Sequence, residues 1–288
     1  MRRLRDAVGA RYDRLTERRR RWSEQLDEVS LGGAERLYRR ADALIARAFR
    51  QETCPVPAAT VSGALTIDVV DDLVAYTQLS RQVVERLISR REPLSFRSEW
   101  YGTPPELRAD HWYYLASKSY LFGNASHFTG THELDLIAAA IPDGSTILDF
   151  GGGTGSLALA LVARGHRVWV DELNALQRDF LRFRVDRHGL ADRLTVVDPW
   201  TDVPAAAFDA VTAFDVFEHM PDGRVVLEQR LLPALRETGV LVEDSPFVRN
   251  ASNPMHHADW GLAGVLESRG FAVVRREGHA RVWARGQG

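Results

Sequence analysis

Thr146-Ile147-Leu148-Asp149-Phe150-Gly151-Gly152-Gly153-Thr154-Gly155-Ser156-Leu157-Ala158-Leu159 is the stretch on which the fold turns. A short apolar run ends in an acid, glycines come next, and a helix-length apolar segment begins at once. Glycines let a backbone turn tightly and approach a ligand where a Cβ would clash, and a helix start offers free backbone N–H groups. The unit reads as strand, loop, helix.

The same rhythm runs outward from about residue 131. Thr146–Phe150, Arg167–Asp171, Leu194–Asp198, Asp209–Phe214 and Val240–Glu243 are runs rich in Val, Ile and Leu. Ser156–Arg164, Glu172–His188 and Val225–Glu237 are helix-length segments between them. Continuous apolar strands alternating with helices imply a parallel sheet covered on both faces. Phe271–Arg275 and Ala280–Ala284, after a helix over Leu262–Ser268, read as an antiparallel pair at the sheet edge. The expected fold class is α/β, a doubly wound, mostly parallel sheet preceded by an α-helical domain.

Three segments are expected: a helical domain over 1–92, an aromatic-rich lid or linker over 93–130, and the α/β domain over 131–288. In the first, Val8, Leu15, Trp22 and Val29 recur every seven residues beside Arg18, Arg19, Arg20 and Arg21. That stripe is either a homodimer seam or packing within the helical domain. Glu17, Glu24, Asp27 and Glu28 flank the arginines, which reads as a solvated face rather than a nucleic-acid patch. Asp68 caps a helix expected to run through Ile88. In the second segment Phe96, Trp100, Tyr101, Trp112, Tyr113, Tyr114, Tyr120, Phe122 and Phe128 crowd together with His111, Asn124 and His127. Such density suits a pocket wall or a satellite core. Trp112, Tyr113, Tyr120 and Asn124 are the expected substrate contacts.

Composition narrows the classes. The net charge of −2 favours neither nucleic acid nor an anionic membrane as partner. A single cysteine, Cys54, excludes an internal disulfide and a cysteine zinc cage. No apolar run approaches the ~18–20 residues of a membrane span, so a cytoplasmic protein acting on a small molecule is expected.

In a doubly wound sheet, ligands bind beyond the carboxyl ends of the strands. Asp149, Asp171, Asp198 and Asp215 stand at four such ends. An acid 20 residues beyond a glycine loop also describes a dinucleotide site. That fingerprint fails in the frame starting at Gly151, where Ser156 falls, but fits from Gly153 to Ala158. Charge separates the two: Asp149 would repel a pyrophosphate and attract an ammonium, favouring a cationic, amino-acid-like cofactor.

Ile147 to Gly155 resembles the first motif, D/E-x-G-x-G-x-G, of class I S-adenosylmethionine-dependent methyltransferases. Val168-Trp169-Val170-Asp171 resembles their second strand, and Phe208 to Met220 (FDAVTAFDVFEHM) their fourth. Ser268-Arg269-Gly270-Phe271 is similar to their late helix-to-strand turn, whereas Glu237-Thr238-Gly239 departs from the usual Pro-Gly-Gly. The resemblance implies S-adenosyl-L-methionine as cofactor. Asp149 with Gly151, Gly152, Gly153 and Gly155 would hold its methionine portion, Asp171 its ribose, and Asp198, with its neighbours Pro199 and Trp200, its adenine; Glu172, Phe214 and Asp215 are further candidate cofactor contacts. Asp171→Ala is expected to abolish cofactor binding without unfolding the chain.

Methyl transfer is an in-line displacement that needs alignment and exclusion of water. If a base is used, His219, His111 and His127 are the candidates, with His256 and His257 behind them. Adjacent histidines in one loop rarely both face one ion, so no metal is expected at His256-His257. Two other outcomes stay open. The cofactor reacts with itself to release methylthioadenosine or transfers its aminocarboxypropyl arm, or the arginine-rich helix directs the enzyme to RNA.

Overall fold

A computed structural model describes residues 67–89, 114, 120–125, 132–199, 201–248 and 255–286. The heptad stripe, the arginine run, His111, Trp112, Tyr113, His127 and Trp200 lie outside the described residues. Two compact units are present. One holds the described residues 82–89, 114 and 120–125, and the other holds 67–81 and everything described from 132 onward.

The larger unit is built on a seven-stranded sheet: β1 (Thr146–Phe150), β2 (Arg167–Asp171), β3 (Leu194–Val197), β4 (Phe208–Phe214), β5 (Leu235–Asp244), β6 (Phe271–Glu277) and β7 (Ala280–Arg285). Their order is β3-β2-β1-β4-β5-β7-β6. β1 to β5 pair in parallel, and β7 runs antiparallel between β5 and β6. The order reverses between β1 and β4, the switch point that opens a crevice at the carboxyl ends.

Alternation along each strand feeds two cores. Ile147, Val168, Val170, Ala210, Val240 and Val242 face one layer. Leu148, Val211, Ala213, Leu241 and Trp283 face the other. On the first face lie α4 (His132–Ala138), α5 (Ser156–Ala163) and α6 (Ala175–Arg187). Leu157 to Val162 are all buried, so α5 is apolar all round, as a helix packed inside a layer must be. The second face carries α7 (Arg224–Val226), a π-helical turn (Leu227–Leu231), α8 (Leu232–Ala234) and α9 (Leu262–Ser268).

Two helices differ from expectation. Asp68 does cap α1 (Val69–Thr77), accepting from Val70 N at 2.8 Å, but the helix ends where Gln78 turns left-handed at φ 59°. A separate α2 comes next (Arg81–Ser89), and α3 (Tyr120–Asn124) lies in the smaller unit. Beyond Ala234, Leu235 is already extended and pairs with Phe208, so the helix expected to reach Glu237 stops early. Leu231, Leu232 and Leu235 carry a helical apolar pattern that sheet pairing overrides.

α1, from the segment read as helical over 1–92, groups with the α/β unit. Its Asp72 is fully buried and pairs with Arg184 of α6 at 2.8 Å and with His188 at 2.9 Å. Tyr76 packs between Phe180 and Phe183, ring centroids 5.2 and 5.4 Å away. No described helix is long and apolar enough to cross a membrane.

Removing one partner of a buried ion pair strands the other. Asp72→Ala is therefore expected to cost about 3–5 kcal/mol in denaturant unfolding. Pairing it with Arg184→Met should recover a large part of that loss in a double-mutant cycle.

Candidate cofactor and active site

The loop after β1 is left-handed at Gly151, Gly153 and Gly155, with φ of 73°, 56° and 77°. A side chain at Gly151 would collide with Val216, and one at Gly155 with Leu181. The loop therefore lies flat against Val216, just past β4, and against Leu181 of α6. At Gly152 a Cβ would stand 2.7 Å from Oδ2 of Asp149. The glycine keeps that carboxylate open to the loop.

Asp149 is buried. Thr212, its register partner on β4, donates to Oδ1 at 2.7 Å. Oδ2 has no hydrogen-bond partner. Burial pushes the Asp149 carboxyl up to about 7, with Thr212 pulling it down and Glu172 adding to the rise.

Glu172 sits beside the loop. One carboxylate oxygen accepts from Gly153 N at 2.8 Å, the other from Asn174 N at 2.7 Å. Asn174 in turn caps α6 through Gln177 N. Burial raises Glu172 as well, opposed by those two N–H groups. Asp171 is buried under Arg230, whose Nε and second guanidinium nitrogen both lie 2.8 Å from Oδ2. Arg230 also donates to Thr201 O at 2.8 Å. Burial raises Asp171 and the guanidinium offsets the rise. Removing Asp171 would leave Arg230 with Thr201 O but no carboxylate partner, so Asp171→Ala is expected to cost some stability in addition to cofactor binding. Asp198 is exposed and pairs with Arg182 at 3.1 Å and Arg178 at 3.4 Å.

Beyond β4 the chain kinks. Asp215 is left-handed at φ 53° and donates its N–H to Asp244 O. Next comes a 3₁₀ turn (Phe217–His219), pinned by Phe217 between Phe150 and Trp260 at 6.3 and 6.0 Å between ring centroids. Glu218 in this turn is fully buried, and no amide, hydroxyl or cationic group of another residue donates to its carboxyl oxygens, which face the Asp215 carboxyl instead. Burial, the facing Asp215 and the nearby Asp244 push it up to about 9. His219 meets His256 edge to face at 4.6 Å. His256 Nδ1 lies 3.1 Å from Pro246 O, and burial lowers its basicity. The backbone N–H of His257 donates to Glu218 O at 2.7 Å.

Asp149, Gly151, Gly152, Gly153, Gly155, Asp171, Glu172, Asp198, Pro199, Phe214, Asp215 and His219 thus come together at the carboxyl ends of the parallel strands. Tyr120 and Asn124 lie on α3 in the other unit, Tyr120 edge-on to Tyr114 at 5.6 Å. Sequence reasoning missed Thr212, Arg230 and Glu218. Thr212 and Glu218 carried a signal, a polar residue inside a buried strand and a charge between Phe217 and His219. Arg230 carried none.

The model of the family described as methyltransferase domain matches residues 121–276, more than half of the chain. The chain belongs to that family. Its residues fit the S-adenosyl-L-methionine that the family uses: an unpartnered, buried Asp149 oxygen sits behind a loop built from left-handed glycines. An arginine N(omega)-methyltransferase of Streptomyces achromogenes subsp. streptozoticus is 39% identical over 79 residues, 27% of this chain and 21% of that one. A mitochondrial ribosomal RNA small subunit methyltransferase of Arabidopsis thaliana is 38% identical over 90 residues, 30% of this chain and 23% of that one. The chain thus spans less than a quarter of either relative's length. An S-adenosylmethionine-dependent methyltransferase from Aquifex aeolicus superposes with TM-score 0.44 at 18% identity, covering 53% of this chain and 88% of that one.

The pH dependence of stability reports on Asp149. Its folded pKa of about 7 exceeds the ordinary 3.8, so between those values the folded state binds more protons than the unfolded one. Stability therefore falls as pH rises through this window. In chemical denaturation without ligand, Asp149→Asn should lose less stability than wild type between pH 5 and 7.5, by a few kcal/mol at most.

Proposed function

We propose that the chain methylates a small-molecule acceptor by in-line displacement, with cofactor and acceptor meeting beyond the carboxyl ends of β1 and β4. The cofactor supplies a methyl group already activated by its sulfonium. What the protein adds is position: the acceptor atom must be held in line with that methyl and water kept out.

The observation that carries this reading is the buried, half-partnered carboxylate of Asp149 behind Gly152. An ammonium at the loop would compensate its desolvation, whereas a phosphate would be repelled. Glu172, already shaping Gly153, is the acid bordering the loop and takes the ribose hydroxyls in this reading. Asp171 acts through Arg230, which it fixes over the end of β2. In this reading Asp198, with its chain neighbours Pro199 and Trp200, receives the adenine amino group. A near-neutral chain with net charge −2 favours a small acceptor over nucleic acid.

Calorimetric titration of S-adenosyl-L-methionine tests the site. An ionised Asp149 binds an ammonium better than a protonated one, and about pH 7 separates the two forms in the free protein. Affinity should rise up to about tenfold per pH unit between pH 5.5 and 7, before the ligand's own ammonium begins to deprotonate near pH ~8. Asp149→Asn should bind more weakly and lose that dependence. Mass spectrometry after incubation with the cofactor alone tests the reaction. Intact cofactor is expected, whereas accumulating methylthioadenosine would replace methyl transfer with self-reaction or aminocarboxypropyl transfer.

A further inference from the structure

We propose that Glu218, His219 and His256 form a binding site for a divalent first-row transition-metal ion at the carboxyl end of β4. One carboxylate and two imidazoles are the donor set that suits manganese, iron, cobalt or zinc rather than magnesium or calcium. One ligand atom from each residue lies within 4.8 Å of the others. Ligands around a single ion at ~2.0–2.2 Å stand at most about 4.3 Å apart.

Three further observations point the same way. The Glu218 side chain is fully buried, no amide, hydroxyl or cationic group of another residue donates to its carboxyl oxygens, and they face the Asp215 carboxyl, an arrangement of two acids that a cation would compensate. His256 Nδ1 faces Pro246 O at 3.1 Å, so a Nδ1–H donated there leaves the Nε2 lone pair for an ion. Such an outer hydrogen bond is the usual partner of a metal-bound imidazole. Asp215 and Asp244 act electrostatically on Glu218 and add to the negative field.

The expectation of no metal rested on adjacent histidines competing for one ion. The folded chain assembles a different set. His256 alone of that pair joins the cluster, and its partners come from the 3₁₀ turn after β4. His257 serves through its backbone instead, tying the two segments together at Glu218 O. The turn also abuts the glycine loop, since Val216 fills the space beside Gly151 and Phe217 packs on Phe150. An ion there would bind and acidify an acceptor hydroxyl beside the cofactor. That consequence rests on the methyltransferase reading, but the ion site does not.

The test uses the full-length chain, stripped with chelator and titrated with Co²⁺, monitored by visible absorption and calorimetry. One equivalent should bind saturably with ligand-field bands of nitrogen and oxygen coordination. Glu218→Gln and His256→Gln should each weaken binding at least tenfold. Affinity for S-adenosylhomocysteine, measured on the same samples, separates local loss from unfolding. If Glu218→Gln does not fold, His256→Gln decides alone. Failure of the wild type to take up Co²⁺, or variants that bind it as wild type does, would overturn the site. Retained S-adenosylhomocysteine binding in that case leaves the methyltransferase assignment standing.

Discussion

The left-handed backbone between β1 and α5 constrains more of this molecule than any other segment. Four neighbours seat on it, each from a different position in the chain. Val216 fills the space beside Gly151, Glu172 receives the Gly153 N–H, Arg184 donates to Thr154 O, and Leu181 packs against Gly155. A Cβ at Gly151 or Gly155 would push β4's continuation or α6 away and open the crevice at the switch point. Arg184 extends the constraint further, because the same guanidinium holds Asp72 of α1. A helix more than 70 residues upstream of the loop is thereby locked to its geometry.

Around that loop the chain buries carboxylates that folding alone would not favour. Asp149, Glu172 and Glu218 all have raised pKa values caused first by burial. Their surroundings differ: Glu172 accepts two backbone N–H groups, Asp149 one hydroxyl, and Glu218 faces a second acid, Asp215. Groups held at such cost are concentrated where ligands bind. On the proposed reading, that difference separates an acid that shapes the loop, Glu172, from Asp149 and Glu218, which are left for an ammonium and a metal ion.

Much of this was legible in the sequence because local signals agreed with the fold. β1, β2 and α9 fall where their apolar runs and flanking glycines placed them, and each strand-end acid stands at a strand end. What could not be read depended on distant partners. The break after Thr77 falls in the short stretch Thr77-Gln78-Leu79-Ser80, where Ser80 ahead of α2 was the one local mark and the apolar spacing on either side read across it. The pairing of Asp72 with Arg184 spans 112 residues, and that of Asp171 with Arg230 spans 59. The π-helical turn from which Arg230 projects has no sequence signature. His256 meets His219 through a chain reversal that no spacing rule encodes. The glycine spacing itself was ambiguous, and the charge on Asp149 carried the distinction.

The most direct test is a crystal structure of the full-length chain grown with S-adenosylhomocysteine. The account predicts one ligand lying across Gly151 to Gly155, its amino group on the Asp149 side of the loop and its ribose toward Glu172. A ligand seated away from the carboxyl ends of β1 and β4, or the same loop approached by its carboxylate with Asp149 unengaged, would contradict it.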